Sequence, residues 1–239
     1  MAYADKRPVE PRIRGYRRTA SVLTVLVGAK MDWMLCGARP ETTDEGKSMP
    51  DQKSLYVFAH PGEATAFSDV EHLVTGIGKI NAATALAGAL AQGDIQRVVV
   101  LGTAGVVADG ADRPDMDTVY QVTRVLQHDF PLETEPLAPR GELIVPEHQL
   151  TMATGDVFVS DDHQRSRIAG SGADLVDMEG YAYASICQRF NVPLQIFKVP
   201  SDFADSSTTI EDWLSVVARK SAQLRTFWEQ HLNDGALVG

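Results

Sequence analysis

Two carboxylates stand close together in the stretch LVDMEGYAYAS, which runs from Leu175 to Ser185. Asp177 and Glu179 follow an apolar run and precede a helix of small residues, so their neighbours are expected to be buried. A buried carboxylate without a partner is costly. Glu179 is therefore expected to pair with another group, to cap the helix, or to accept hydrogen bonds from a ligand.

A second acidic group follows another apolar run, in VPSDFAD (199–205). Ser201 and Asp202 lie just beyond a predicted strand, and Asp205 precedes a run of hydroxyl residues. An aspartate in such a position can donate a proton if burial raises its pKa, or cap a helix or turn if it stays ionised. Asp205 is the better capping candidate, which leaves Asp202 for a site.

Glu179 and Asp202 together fit one kind of reaction. Cleavage of a glycosidic bond uses one acid to protonate the leaving group and a second group to stabilise the sugar cation or to activate water. By itself the pairing does not separate this chemistry from simple capping.

Small residues end the most hydrophobic run, VVVLGTAGVV (98–107). Gly102, Thr103, Ala104 and Gly105 stand at the carboxyl end of this predicted strand, where ligands bind in open α/β sheets. Small side chains let the backbone approach a flat ring or a sugar, and Thr103 adds a hydroxyl. Close strand packing explains the same residues equally well.

The stretch TGIGKINAA (75–83) lies between a predicted strand and a predicted helix. It has neither the GxxxxGK[ST] spacing of a phosphate-binding loop nor the GxGxxG spacing of a dinucleotide site. We interpret it as a tight turn in which Gly76 and Gly78 are structural.

Apolar runs typical of buried strands alternate with amphipathic helices along the chain. The predicted strands are 22–27, 55–59, 70–75, 97–102, 118–126 and 193–199, and the predicted helices are 80–90, 179–190 and 211–231. In the second helix, residues 182, 183, 186, 187 and 190 form the predicted buried face. The alternation predicts a three-layer α/β fold with a mostly parallel sheet, and polar stretches such as 160–174 are interpreted as surface loops.

Composition excludes several functional classes. The formal net charge of −10 opposes a nucleic-acid partner. No apolar run reaches the ~20 residues of a membrane span and no signal-peptide core is present, so we expect a cytoplasmic protein. Two cysteines and six scattered histidines give no metal-ligand spacing, so no metal site is expected. Cys187 is expected to be a small buried side chain.

The amino-terminal stretch differs from the rest of the chain. Residues 1–18 contain six Lys or Arg without helical or strand periodicity. We interpret them as a flexible basic arm, and residues 19–239 as a single domain.

Taken in order, these stretches resemble the 5′-methylthioadenosine/S-adenosylhomocysteine nucleosidases of the purine nucleoside phosphorylase superfamily. The resemblance extends from about Val22 to Leu224. It rests on GIGKINAA, GTAG, HDF (128–130), TGDVFVS (154–160), VDMEGYAYASICQRFNVP (176–193) and SDFAD (201–205).

This resemblance implies a nucleoside phosphorylase-like three-layer αβα sandwich with a mixed, mostly parallel central sheet. The implied reaction hydrolyses the N-glycosidic bond of a purine nucleoside, adenosine-type and with or without a 5′-thio substituent, to free base and a ribose derivative. The implied enzyme is a homodimer that needs no cofactor and no metal, and its partner is the small-molecule nucleoside.

The resemblance also implies roles for the acidic motifs. Glu179 would accept hydrogen bonds from the ribose hydroxyls, with Met178 packing on the sugar. Asp202 would be the general acid that delivers a proton to the N7 region of the purine, and Ser201 would help to position it.

Further roles follow for the base-binding motifs. Phe158 would stack on the base and the backbone of Val159 would read its edge. The floor under base and sugar would be formed by Thr103, Ala104 and Gly105.

Two departures from the family pattern stand out. The glutamate that holds the nucleophilic water usually ends a GAMEEE-like stretch, and the corresponding stretch here is predicted to be GAKMDWM (28–34), with Trp33 at that position. Asp32 would replace it only if the helix rotates. The resemblance assigns Lys198 to substrate binding, at a position where arginine is frequent in the family. Lysine keeps the positive charge but lacks the guanidinium group that can form two parallel hydrogen bonds.

Two alternatives stay open. Lys30 and Lys198 near a nucleophile pocket would fit a phosphate-dependent phosphorylase, although residues 99–101 lack the arginine that such enzymes carry before the glycine turn. The loss of a water-holding carboxylate at Trp33 would fit a non-catalytic nucleoside-binding protein. That reading ranks last, because Asp202 would then have no role.

Overall fold

The computed structural model describes residues 53–110 and 113–233 of the 239-residue chain. The predicted arm at 1–18, the predicted strand at 22–27 and the stretch 28–34 with Lys30, Asp32 and Trp33 lie outside the described residues. None of the helices in the described ranges combines the length and apolar character required to cross a bilayer.

Strands and helices alternate along the described chain. Their order is β1 (Ser54–Phe58), β2 (His72–Val74), α1 (Lys79–Leu90), β3 (Arg97–Val106), β4 (Tyr120–Gln127), β5 (Gln149–Thr154), α2 (Asp162–Ala169), β6 (Leu175–Asp177), α3 (Gly180–Phe190), β7 (Leu194–Asp202) and α4 (Ile210–His231). A short 3₁₀ helix, Thr65–Phe67, follows β1. Every strand and helix predicted within the described ranges is confirmed, with its ends shifted.

Three elements were missed by the sequence analysis. Helix α2 lies inside the stretch 160–174, whose interpretation as a loop was wrong. Its sequence DHQRSRIA buries only Ile168 and so lacks an apolar stripe, and it begins where the Asp161 side chain accepts a hydrogen bond from Gln164 N at 2.8 Å. Strand β6 has only three residues, which is too short to show alternation. Strand β5, QLTMAT, becomes more buried toward its end and does not alternate between buried and exposed residues.

The sheet is mixed and mostly parallel, as predicted. The strand order is β2-β1-β3-β6-β5-β4-β7, with a further pairing between β3 and β7. The β3–β6 and β4–β7 pairs are antiparallel and the other five pairs are parallel. Because β3 pairs with both β6 and β7, its carboxyl end lies between the ends of two other strands, and loops following all three meet there.

Side chains of β3 alternate between two hydrophobic clusters, as a strand requires. Val98 and Val100 pack in one cluster with buried residues of α1 and α3. Val99 and Leu101 pack in the other with residues of α4. Strand β3 is thus covered on both faces, which explains its continuous apolar run.

Helix α3 buries most of the predicted face. Ala182, Tyr183 and Cys187 are buried, and burial raises the pKa of the Cys187 thiol to about 12, so this cysteine is the small buried side chain that was expected. The prediction was wrong for Phe190, a residue that is 41% exposed. Phe190 is the last residue before Asn191, where the backbone turns into the left-handed region and the helix ends.

Candidate active site

A cavity of about 250 Å³ lies at the carboxyl ends of β3, β6 and β7. Nine of the ten predicted site residues line it: Thr103, Ala104, Gly105, Phe158, Val159, Met178, Glu179, Ser201 and Asp202. Four separate motifs therefore meet in one place. Lys198 does not line this cavity.

Glu179 occupies the N-cap position of α3 but its side chain does not cap that helix. Its Oε1 accepts a hydrogen bond from Gly78 N at 2.8 Å, and Oε2 has no hydrogen bond within the described part of the chain. Burial, reinforced by the neighbouring Asp177, raises the pKa of Glu179 to about 8. Oε2 of this buried carboxyl group is thus available to a ligand.

The TGIGK turn presents the N–H group that Glu179 uses. Gly78 has a φ of 96°, in the left-handed region that only glycine adopts without strain. The turn is structural, as its two glycines predict, and its backbone also positions a carboxyl group in the cavity.

Asp177 performs the capping that Glu179 does not. Its Oδ2 accepts a hydrogen bond from Gly180 N at 2.9 Å, and its Oδ1 accepts one from Thr154 Oγ1 at 2.7 Å. Lys198 Nζ lies 3.2 Å from Oδ2, and both side chains are almost fully buried. Asp177 therefore holds the start of α3 and neutralises a buried lysine.

Lys198 lies behind the cavity wall, paired with Asp177. Its burial opposes the charged form, but Asp177, Glu63 and Glu179 outweigh that effect and raise the pKa of Lys198. The ammonium group is thus a buried counter-charge for Asp177, and Glu63 and Glu179 also favour its charged form. The assignment of Lys198 to substrate binding stays a prediction.

Asp202 is a partly buried carboxyl group at the end of β7. Ser201 Oγ donates to its Oδ2 at 2.7 Å and Ala204 N donates to its Oδ1 at 2.9 Å. Burial raises the pKa of Asp202 despite these hydrogen bonds. Asp205 differs: it accepts from the backbone and the hydroxyl of Ser207, which lower its pKa, so it stabilises the turn as predicted.

Glu63 lines the cavity together with Asp177, Glu179 and Asp202, and it is not among the site residues predicted from sequence. It follows β1 in the stretch AHPGEA and is 2% exposed. Thr103 donates to Oε1 from its backbone N at 2.7 Å and from Oγ1 at 2.8 Å. The backbone N–H groups of Ala59 and His60 both donate to Oε2 at 3.1 Å.

A signal for Glu63 was present in the sequence. A predicted strand, 55–59, is followed by a short turn that ends in glutamate, which is the order expected of the water-holding residue. The run at 22–27 offers the same order, and from it Trp33 is predicted at that position. The described chain supplies a carboxylate in the cavity from a different stretch.

Aromatic groups close the side of the cavity next to Glu63. Trp213 Nε1, from the first turn of α4, donates to Thr103 Oγ1 at 3.0 Å. The His60 ring packs edge-on against Trp213 with centroids 5.1 Å apart. Neither residue was singled out by the sequence analysis, because a lone histidine and a helical tryptophan carry no motif.

The loop that carries Phe158 and Val159 is held by ionic and backbone contacts. Asp156 Oδ1 accepts from Lys79 N at 2.8 Å, and Asp156 N donates to Asp129 Oδ2 at 2.8 Å. Lys79 Nζ completes the network with a 2.6 Å contact to Asp129. The HDF, GDV and GIGK motifs are thus joined beside the cavity.

Metal ligands are not clustered in the described residues. No group of three or more His, Cys, Asp or Glu side chains there has a geometry that could hold a metal ion.

Comparison with known proteins finds relatives from different bacteria that carry the same name. A 5′-methylthioadenosine/S-adenosylhomocysteine nucleosidase of Staphylococcus aureus is 28% identical over 216 residues, which cover 79% of this chain and 95% of that protein. A nucleosidase of the same name from Bacillus cytotoxicus is 28% identical over 174 residues, covering 62% of this chain and 75% of the relative.

Solved structures show the same fold. The Helicobacter pylori nucleosidase of that name, crystallised with butyl-thio-DADMe-Immucillin-A, matches with a TM-score of 0.66 at 20% identity over 75% of this chain and 97% of its own. A futalosine hydrolase mutant from Helicobacter pylori matches with a TM-score of 0.65 at 19% identity over 74% and 97%. These likenesses confirm the predicted nucleoside phosphorylase-like α/β fold. The family model described as "Phosphorylase superfamily" matches residues 69–231, and the chain belongs to that superfamily.

Proposed function

We propose that the protein is a nucleosidase, which hydrolyses the N-glycosidic bond of an adenosine-type purine nucleoside to free base and a ribose derivative. One observation carries the proposal: Glu63, Glu179 and Asp202, from three distant stretches of sequence, line a single cavity. The names of the nucleosidase relatives support the same reaction.

Glu179 is proposed as the ribose anchor. Its Oε2 is unengaged within the described chain, and a diol offers two O–H donors to such an oxygen. Burial raises its pKa to about 8, which favours the protonated group at neutral pH. Hydrogen bonds from ribose hydroxyls favour the ionised form, so binding of the sugar and loss of that proton are coupled. Met178 lines the cavity beside Glu179 and packs on the sugar in this proposal.

Asp202 is proposed as the general acid. Its raised pKa favours the protonated carboxyl group that the step requires. Transfer of this proton to N7 of the purine lets the base depart as a neutral molecule with the electron pair of the glycosidic bond. The sugar is left as an oxocarbenium-like cation. Ser201 fixes the orientation of the carboxyl group through its 2.7 Å hydrogen bond.

Glu63 is proposed to hold the attacking water. Four N–H or O–H donors surround its carboxyl group and fix the position of both oxygens. The two contacts to Oε2 are the longer ones, so this oxygen is the one that can share a lone pair with water. The water oxygen then bonds to C1′ and its proton passes to the carboxylate.

Phe158, Val159 and the Thr103–Gly105 segment are proposed to enclose the base. Phe158 is partly buried on a loop fixed by Asp156, which suits a ring that stacks on a purine. Gly105 has no room for a side chain, because a Cβ atom there would lie 2.9 Å from Asp202 Oδ1. The backbone can therefore approach a flat ligand closely.

Hydrolysis is favoured over phosphorolysis by the charges of the cavity. Among the described residues, no lysine or arginine lines it, and Lys198 is engaged with Asp177. A phosphate dianion would face carboxyl groups without a matching cation. Catalysis is favoured over simple binding because Glu63 supplies the carboxylate whose loss had suggested a binding protein.

We also propose the finer architecture implied by the sequence. A three-layer αβα sandwich is supported by the packing of α1 and α3 on one face of β3 and of α4 on the other. Residues 19–239 as a single domain, with residues 1–18 as a basic arm, stay a prediction.

A homodimer in the cytoplasm completes this proposal. Several large apolar side chains near the cavity mouth or on adjacent loops are exposed and would suit a partner surface: Ile77, Ile80, Phe130, Leu132 and Val157. The cytoplasmic location rests on the sequence composition alone.

A small panel of purine nucleosides tests the proposed reaction. Free base is measured by chromatography with and without added phosphate. We expect base release at equal rates under both conditions, with free ribose or its 5′ derivative as the second product. Release that requires phosphate and yields ribose 1-phosphate would overturn hydrolysis in favour of the phosphorylase.

A further inference from the structure

His60 lines the cavity without a role in the reaction proposed above. Its Nδ1 accepts a hydrogen bond from Gly62 N at 3.0 Å. In the neutral ring the hydrogen atom is therefore on Nε2, because a nitrogen that accepts cannot also carry it. Nε2 has no hydrogen-bond partner within the described residues. His60 is thus a donor on the cavity wall, and in this tautomer it is not a base that could deprotonate water.

The ring of His60 is held in place from two sides. Gly62 fixes one edge, and Trp213 packs against the ring with centroids 5.1 Å apart. Trp213 is itself fixed by its 3.0 Å hydrogen bond to Thr103. A donor immobilised in this way loses little conformational entropy when it binds a ligand atom, which is the property of a specificity-determining group.

His60 and Asp202 are associated with different residues of β3. Asp202 packs against Gly105, whereas the His60–Trp213 pair is connected to Thr103, two residues earlier in β3. Two residues of strand span about 7 Å. If the base faces Asp202 and the ribose hydroxyls face Glu179, the part of the nucleoside that remains for His60 is the sugar's 5′ carbon and its substituent.

We propose that His60 donates a hydrogen bond from Nε2 to an oxygen atom on the 5′ carbon of the nucleoside, so that the site favours a 5′-oxygen substituent over a 5′-alkylthio group. The inference rests on the proposed nucleosidase function and narrows its substrate class. A thioether sulfur is only a weak acceptor, so it would leave the Nε2 hydrogen poorly satisfied. A cavity built to bond an oxygen discriminates against an analogue that lacks it more strongly than an apolar pocket discriminates by size.

Three nucleosides isolate this contact. Adenosine carries the 5′ oxygen, 5′-deoxyadenosine lacks it, and 5′-methylthioadenosine replaces it with sulfur. For the unmodified protein we expect kcat/KM to be at least about tenfold higher for adenosine than for either analogue, the effect of one good hydrogen bond.

Two variants of His60 separate hydrogen bonding from shape. His60→Phe keeps a flat ring without a donor, and we expect it to lose the preference for adenosine while turnover of 5′-methylthioadenosine stays equal or rises. His60→Gln keeps an amide N–H at the position of Nε2, and we expect it to restore much of the preference. His163→Phe, on the exposed side of α2 away from the cavity, serves as the matched control and should change neither substrate ratio.

The results decide this inference separately from the proposed function. An unmodified protein that prefers the 5′-methylthio substrate, or a His60→Phe variant with an unchanged substrate ratio, would overturn the role of His60 while leaving the nucleosidase intact. If no nucleoside releases base, the proposed function fails. The dissociation constants of adenosine and 5′-deoxyadenosine, measured by calorimetry on the unmodified protein and on His60→Phe, then decide the inference: a preference present only in the unmodified protein supports it, and equal ratios or no binding overturn it.

Discussion

Thr103 donates two hydrogen bonds to one oxygen of Glu63, from its backbone N at 2.7 Å and from its hydroxyl at 2.8 Å. The two residues are 40 positions apart in the chain, and the contact joins the turn after β1 to the carboxyl end of β3. It fixes a buried carboxylate at the place where the ligand crevice of an α/β sheet is expected. The same Thr103 hydroxyl accepts a hydrogen bond from Trp213, so one side chain contacts both Glu63 and Trp213.

Glu63→Gln should reduce turnover much more than binding. The amide presents an NH₂ group where the protein offers only donors, and it cannot accept a proton from water. We expect kcat to fall by about 10²–10⁴ with a smaller change in KM, as for loss of a general base. Steady-state kinetics with adenosine check this, and an unchanged kcat would exclude Glu63 as the group that activates water. Glu229→Gln, on the exposed face of α4, is a suitable control.

Glu179 should make the protein less stable as the pH rises. Its folded-state pKa of about 8 lies above the ordinary value of 4.5, so the folded state binds the proton more tightly than the unfolded state. Its contribution is thus most favourable below pH 4.5 and is lost progressively as the pH rises to about 8. Urea denaturation across this range should show a steeper fall of the unfolding free energy for the unmodified protein than for Glu179→Gln. Parallel curves would show that Glu179 ionises normally in the folded protein.

Gly78→Ala should weaken substrate binding through the backbone. A side chain at φ 96° strains the turn, and its Cβ atom would lie 3.2 Å from Asp156 Oδ1. We expect a loss of stability of about 1–3 kcal/mol. A higher KM should accompany it, because Gly78 N would shift away from Glu179. Gly88→Ala in α1 is the matched control: no atom lies within 4 Å of its added Cβ, so stability should stay equal or rise. Equal effects of the two substitutions would contradict this account.

Lys198→Met should be strongly destabilising although Lys198 lies outside the cavity. Removal of the ammonium group leaves Asp177 as a buried charge without its counter-ion, beside Glu63 and Glu179. Breaking a buried ion pair in this way costs about 3–5 kcal/mol. Chemical denaturation measures the effect, and Lys220→Met, which breaks a pair with the exposed Asp117, provides a comparison in which only one partner is buried. A loss below about 1 kcal/mol for Lys198→Met would show that the three carboxyl groups do not depend on it.

The sequence identified the parts of the site that strands and helices display directly. Glu179 and Asp202 stand where apolar runs end, and the carboxyl ends of strands converge in this class of fold, so their meeting could be predicted. Glu63 could not be identified with the same ease, because its partners include the backbone N–H groups of residues 59, 60 and 103, which leave no trace in side-chain types. Two apolar runs, 22–27 and 55–59, also competed for the role of the strand that precedes it.

Other differences have similarly local causes. Helix α2 is too polar to show an apolar stripe, and β6 is too short to show alternation. Lys198 is predicted to contact substrate because the motif shows where the residue lies in the strand. The motif does not show which way the side chain points. Its side chain points toward Asp177, a contact that depends on the pairing of three strands. His60 became a candidate only when its packing against Trp213, more than 150 residues away, was visible.

The rate of base release from adenosine by Asp202→Asn tests the central claim most directly. The amide oxygen can still accept from Ala204 N and the side chain keeps its shape, so the fold should be retained, as a thermal melt can verify. The account predicts that kcat falls by about 10²–10⁴, because the proton for the departing purine is gone. A folded Asp202→Asn protein that releases base at the unmodified rate would contradict the assignment of this cavity as a site for acid-catalysed glycosidic cleavage.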